Sequence, residues 1–384
     1  MASAASEIES ARPARQLAAG TLRIFAAEAL IVPTGVLTAV FLSRRFGPEG
    51  YGLLTLAGVT VAWVEANVAS ALSRPVIKLV GETDDWRGVA SAALRLYLAA
   101  GVALALALAA AAAPLANALG EGLELANYLR LYALEIPLFC AAQAHRSVLV
   151  GLGRFRERAW ASAARWTTRL LLVVVLVMLT GSIAAAICAS VLASLAELAL
   201  CRARVRIPLF GASGARRLGG YALPLVASAL CLSLFGRLDL VLLKALGGTA
   251  AEAGLYGVAQ NLALLPSLFS FAFAPALLST LSRAARDGDL RGAREVAAKA
   301  VRAPLVLLPL AACVAGASDE IVRLLFSARF GGAATPFRLL IFASLALVLV
   351  SVAASMMTAA GRAMWTLHAA WPTVVAAAAL HALV

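Results

Sequence analysis

The sequence predicts an all-α integral membrane protein, with about eleven transmembrane helices in two parallel-repeat lobes. Three observations carry that reading. Of the 384 residues, 62% are hydrophobic even without the 29 glycines, and only 14% are charged. A soluble domain is roughly half apolar and a quarter charged. Mean hydropathy is +0.90, more apolar surface than an interior with a polar skin hides. Apolar stretches recur at lengths near the ~20 residues that cross a hydrocarbon core of about 30 Å. Finally, the second half of the chain echoes the first. A soluble enzyme, a disordered chain and a secreted disulfide scaffold are excluded on these grounds.

Residues 1–16 carry Glu7 and Glu9 and no apolar run, so they read as a cytoplasmic tail rather than a cleavable signal. Spans at 17–42, 53–74, 89–113, 128–150, 159–180 and 182–201 build an N-terminal lobe over 17–214. Spans at 219–243, 253–280, 296–317, 337–360 and 366–384 build a C-terminal lobe over 215–384. With the tail inside, 25 Lys and Arg fall on the cytoplasmic side and 7 on the other, as an internal N-terminus requires. The same asymmetry explains the net charge of +13 without a nucleic-acid partner. The five cysteines lie in or beside apolar runs with no zinc spacing, and read as reduced small hydrophobes.

The repeat is a set of weak matches in constant order. Tyr51-Gly52 returns as Tyr256-Gly257, and Arg87-Gly88 as Arg291-Gly292. Arg130-Leu131 returns as Arg338-Leu339, and Gly153-Arg154 as Gly361-Arg362. Six spans separate equivalent points, so the halves share orientation, an arrangement in which transporters bind substrate between lobes. The counterpart of span six would fall just past residue 384. The expected bundle is therefore of a twelve-helix type lacking its last helix.

Motifs for chemistry are sparse. Gly151-Leu152-Gly153 continues Arg-Phe-Arg with no strand before it, and no GxxxxGK[ST] occurs. His145, His368 and His381 lack an HExxH partner. Asp287-Gly288-Asp289 has the shape of a sugar-nucleotide transferase metal motif, but sits among arginines as a solvated turn would. Neither catalysis nor a cofactor is expected.

What remains is charge at membrane depth, which costs roughly 2.5–3.5 kcal/mol per residue and faces a bundle interior or watery cavity. Arg23 and Glu28 lie in span one, Glu65 in span two, Glu135 in span four, Glu197 in span six, and Arg237 and Asp239 in span seven. For Arg74, Arg146 and Glu197 the favoured reading is interhelical pairing or snorkelling. Arg23, Glu28, Glu65, Arg237 and Asp239 are the candidates for cavity lining. Guanidinium groups there suit a phosphate-bearing cargo, and the carboxylates suit a proton. Pro33 with Gly35 is the hinge candidate of span one.

Two segments carry a family resemblance: LSRRFGPEGYGLLTLA after span one, and GRLDLVLLKALGGTAAEAGLYGVAQNLALLP from span seven into eight. They resemble the polysaccharide flippases, including O-antigen translocases, of the multidrug/oligosaccharidyl-lipid/polysaccharide (MOP) exporter superfamily. Asp239, Leu246-Gly247, Gly254 and Tyr256 match the family's pattern there, and the likeness extends over roughly 17–365. The resemblance implies two lobes, V-shaped around a central cavity, and a bacterial inner-membrane flippase. It would carry undecaprenyl-pyrophosphate-linked oligosaccharide across by alternating access, for lipopolysaccharide or exopolysaccharide synthesis, alongside polysaccharide polymerase machinery. Coupling to H+ or Na+ stays open. So do a small-molecule exporter of the same superfamily, a membrane-embedded glycan polymerase or transferase, and a transporter-like scaffold.

Overall fold

The computed structural model describes residues 26–27, 29–83, 85–209, 243, 247–264, 277, 281 and 290–359. Among them the regular elements are eleven α-helices and one 3-10 helix. Contacts divide the chain into two compact units, Met1–Ala253 and Gly254–Val384. The boundary read from the sequence, 214/215, and span seven fall mainly on residues outside the described set, as does span eleven.

In the first unit α1 runs from Ile31 to Glu82 and is two helices in one. Gly47 holds φ 71° and ψ −177°, a backbone state that Cβ-bearing residues avoid. Pro48 then opens the second arm, where its missing N–H is no loss. The sequence reads 43–52 as a link between spans one and two; the structure makes it helical on both sides of this one break. Thr34, Thr38, Thr55 and Thr60 each return a hydroxyl to the carbonyl four residues back, which satisfies a polar group where water is absent.

Asp85 caps α2 (Trp86–Ala118), accepting from the Gly88 N–H at 3.2 Å. The predicted fourth span is divided at Leu134 into α3 (Gly122–Ala133) and α4 (Glu135–Gly151). Twelve of the seventeen residues of α4 are buried, which makes it the centre of the unit. Its neighbours come close because small residues mark the crossings. A Cβ on Gly101 of α2 would lie 2.9 Å from that of Cys140, and one on Gly151 would lie 2.8 Å from that of Val80 in α1. Next, α5 (Phe155–Thr180) ends on left-handed Gly181, and Ser182 accepts from the Ala184 N–H to start α6 (Ile183–Arg204). Leu171, Val175, Met178 and Leu179 of α5 and Leu192 and Leu195 of α6 are exposed, an outward apolar surface that suits lipid.

Thr249 and Glu252 form a reciprocal capping box at the start of α7 (Ala250–Ala263). In the second unit α8 (Leu290–Leu305) and α9 (Leu308–Gly316) meet at a break before Pro309. They lead through α10 (Ser318–Phe326) and a 3-10 turn (Ala328–Ala333) into α11 (Ala334–Ala359). Phe326, Phe330 and Phe337 are almost wholly buried there, and Arg338 ties α11 to Ser318 and Asp319 at the start of α10. Leu277, Leu281, Ala300 and Val352 form a second apolar cluster.

Five helices among the described residues are long and apolar enough to cross a membrane: Ile31–Ala69, Trp86–Ala118, Phe155–Thr180, Ile183–Arg204 and Ala328–Val350.

Candidate functional site

Inside the first unit, five charged side chains from four helices meet away from solvent. Arg165 is their hub. It lies ten residues into α5, about 15 Å along the axis at 1.5 Å per residue, on the same face as buried Ala161 and Ser162. Its Nη2 donates to Glu135 Oε1 of α4 at 2.9 Å and lies 3.7 Å from Glu65 Oε2 of α1. Its Nε lies 3.7 Å from Glu197 Oε2 of α6. On the other side of Glu197, Arg146 of α4 donates from Nη1 to Oε1 at 3.1 Å. Ser194 adds a 2.6 Å hydrogen bond to Glu135 Oε1.

Phe139 stands between the two arginines, each guanidinium carbon 4.9 Å from its ring centroid. The ring's quadrupole thus attracts both cations alongside the carboxylates. Glu197 is wholly buried, and none of the five charged residues exceeds 8% exposure. Three carboxylates and two guanidiniums make up the network, and a third guanidinium, that of Arg169, lies one turn along α5. Glu65 Oε1 has no hydrogen-bond donor among the described residues.

Polar side chains continue in both directions. One turn along α5, Arg169 donates to Ser190 Oγ at 3.0 Å and to Tyr132 OH at 3.3 Å. Among α1, α2 and α4, the Tyr97 hydroxyl lies 3.3 Å from that of Ser73 and 3.5 Å from that of Ser147, while Gln143 donates to Ser73 at 2.7 Å. Much of this polar column is buried, with Tyr97, Tyr132, Ser147 and Ser190 all withdrawn from solvent.

Of the residues singled out from sequence, Glu65 belongs to this network. Arg23, Glu28, Arg237 and Asp239 lie outside the described residues, as do Asp287 and Asp289. Pro33 and Gly35 sit in the first turns of α1, where the backbone is helical, and the break comes twelve residues beyond Gly35, at Gly47. Arg146 and Glu197 form the interhelical pair that the sequence favours for them. Arg165 is the member the sequence reading misplaces, by counting it with the cytoplasmic arginines. The signal was present, because 165 lies within the span delimited at 159–180. At the 208-residue offset, Glu135 and Arg146 are replaced by Ala343 and Ala354.

Residues 41–335 match the family described as polysaccharide biosynthesis protein. The chain belongs to that family. No curated protein matches it in sequence. Among solved structures, the polysaccharide biosynthesis chain is similar to an inward-facing multidrug resistance MATE family transporter of the MOP superfamily. That likeness has a TM-score of 0.75 and 14% identity, covering 90% of this chain and 86% of the other. A MOP superfamily transporter from Pyrococcus furiosus, described as having a binding pocket of reverse polarity, gives 0.67 and 14%, covering 92% and 84%. A variant of a Vibrio cholerae MATE transporter gives 0.66 and 14%, covering 92% and 85%. At such identities the likeness shows the fold, and the fold is that of a two-lobed MOP transporter. This polysaccharide biosynthesis protein is a multi-pass membrane protein.

Proposed function

We propose that this protein is a flippase, moving a lipid-linked oligosaccharide across the bacterial inner membrane by alternating access, with its N-terminus in the cytoplasm. The observation that carries the reading is a conjunction: a polysaccharide biosynthesis family match over most of the chain, on the fold of an exporter. A saccharide repeat unit on an undecaprenyl pyrophosphate carrier is the cargo such a protein would meet. Its sugars are too polar to cross unaided, and its phosphates suit the forked donors of arginine. Arg23, Glu28, Arg237 and Asp239 are assigned to the polar lining that receives the headgroup. Glu65 is assigned to a coupling cation, H+ or Na+, because its Oε1 is buried with no donor among the described residues. The flipped unit would pass to polysaccharide polymerase machinery on the outer face.

Deleting the gene tests the reading. One surface polysaccharide should disappear while its lipid-linked unit accumulates on the cytoplasmic side, and Arg237→Ala or Asp239→Ala should reproduce the defect. Unchanged surface glycan in all three strains would overturn it. The likeness to multidrug MATE transporters supports a second reading, export of small molecules. That reading gains if the purified protein binds drugs and leaves glycolipid unbound. A transferase would instead require Asp287 and Asp289 for sugar incorporation in detergent.

A further inference from the structure

Helix α6 has two unlike faces. Ser190, Ala193, Ser194, Glu197 and Cys201 are buried against the rest of the unit. On the opposite side, at 100° per residue, Leu192, Leu195, Ala199, Arg202 and Ala203 share an arc of about 100°. Leu192 and Leu195 are exposed although the helix is apolar enough to span a membrane, so that arc is the surface offered to acyl chains.

The strip ends in an open cavity of about 500 Å³ lined by Ala199, Arg202, Ala203 and Arg206. Its geometry follows from the local sequence. Alanines at 199 and 203, one turn apart, supply a floor with no side chain beyond Cβ, which leaves room between the two guanidiniums. Past Arg204 the backbone becomes extended, Val205 taking φ −135° and ψ 111°. Side chains then alternate sides: Val205 and Ile207 turn inward and are buried, and Arg206 between them turns outward. Arg154, the residue before α5, fixes this end of the helix by donating to the Arg204 carbonyl at 3.0 Å. Arg202 and Arg206 are exposed, and neither has a hydrogen-bond or ion-pair partner among the described residues.

We propose that this cavity is a headgroup site for an anionic phospholipid. Its phosphate is held between Arg202 and Arg206, and its acyl chains run along Leu195 and Leu192. Charge complementarity and continuity with the lipid-facing strip select this occupant. Guanidinium forks match phosphate oxygens, and a bound tail needs the apolar track that begins one turn away. A zwitterionic lipid offers the same tail without the net charge, and a free phosphate offers the charge without the tail. The site lies on the face of α6 opposite Glu197 and the buried ion network.

The test uses the full-length protein in detergent micelles doped with phosphatidylglycerol, with thermal unfolding and native mass spectrometry as readouts. Phosphatidylglycerol should raise the midpoint and stay bound, whereas phosphatidylcholine and inorganic phosphate should do neither. Removing one surface cation weakens such binding about fivefold, so Arg202→Ala and Arg206→Ala should each do so, and the double variant by about thirtyfold. Arg130→Ala, an exposed arginine on α3, should keep the full response. Both double and control variants should elute as wild type does before lipid is added, which separates a lost site from a lost fold. Equal stabilisation by phosphatidylcholine, an undiminished response in the double variant, or tighter retention of undecaprenyl phosphate than phosphatidylglycerol at these arginines would overturn the proposal.

Discussion

Arg146 of α4 and Glu197 of α6 are joined at 3.1 Å with side chains 7% and 0% exposed. An exposed pair of this kind contributes under about 1 kcal/mol. Here neither group has water to return to, and the balance changes. Taking away one partner strands the other charge, at a cost of about 3–5 kcal/mol. Arg146→Met and Glu197→Gln should therefore each lower the thermal midpoint sharply in detergent. The double variant Arg146→Met/Glu197→Gln should lose less than the sum of the singles, with a coupling of about 0.5–3 kcal/mol. Strict additivity would show that the pair carries no energy of its own.

Phe139 makes a separable contribution. Phe139→Leu keeps an apolar side chain between α4 and α5 but removes the ring that both guanidiniums overlie at 4.9 Å. Desolvated cation–π contacts contribute about 2 kcal/mol each, so the loss should exceed that of Phe139→Tyr, which keeps the ring. Equal midpoints for the leucine and tyrosine variants would assign Phe139 to packing alone.

Helix crossings give a third expectation. Gly151 has Val80 and the Ile77 carbonyl within 3.0 Å of an added Cβ, and Gly101 has Cys140 at 2.9 Å, whereas Gly35 has nothing within 4 Å. Gly101→Val and Gly151→Val should cost about 1–3 kcal/mol through overpacking and reduce the yield of monodisperse protein. Gly35→Ala should leave the midpoint where it is. Any loss of glycan export in Gly35→Ala would then report on motion rather than packing.

Much of this architecture was readable because membrane helices need length and apolarity, and both are written locally. The offset that pairs Arg87-Gly88 with Arg291-Gly292 places both dipeptides in helices, α2 and α8. Gly181-Ser182 likewise ends one predicted span and starts the next where the structure turns. Division of the fourth span at Leu134 has a local cause, since Pro137 has no N–H for the Ala133 carbonyl four residues back, although the apolar run continues through it. The ion network was half legible. Glu65, Glu135, Arg146 and Glu197 stand out as charges at depth, yet which helix faces which is settled by tertiary packing, and periodicity along one helix does not reveal it. Arg165 was missed for a different reason: arginines crowd the start of its span, and its depth is clear only once α5 is seen to start at Phe155.

The bend in α1 supplies the last prediction. From sequence, Pro33 and Gly35 are the hinge candidates, but the one interior residue of α1 outside helical φ/ψ is Gly47. Its positive φ combined with extended ψ lies in a region open almost only to glycine, and other residues there cost about 1–3 kcal/mol. Pro48 locks the following φ, so the bend is fixed on one side and depends on Gly47 for the other. Gly47→Ala should therefore lower the midpoint and, because it pushes α1 toward a straighter path, impair glycan export beyond what that instability explains. Pro33→Ala lies in an early turn and should leave the midpoint nearly unchanged. If export fails in Pro33→Ala while Gly47→Ala exports normally at matched protein levels, the working joint of α1 is the proline turn, and the Gly47 bend is a static feature of the first unit.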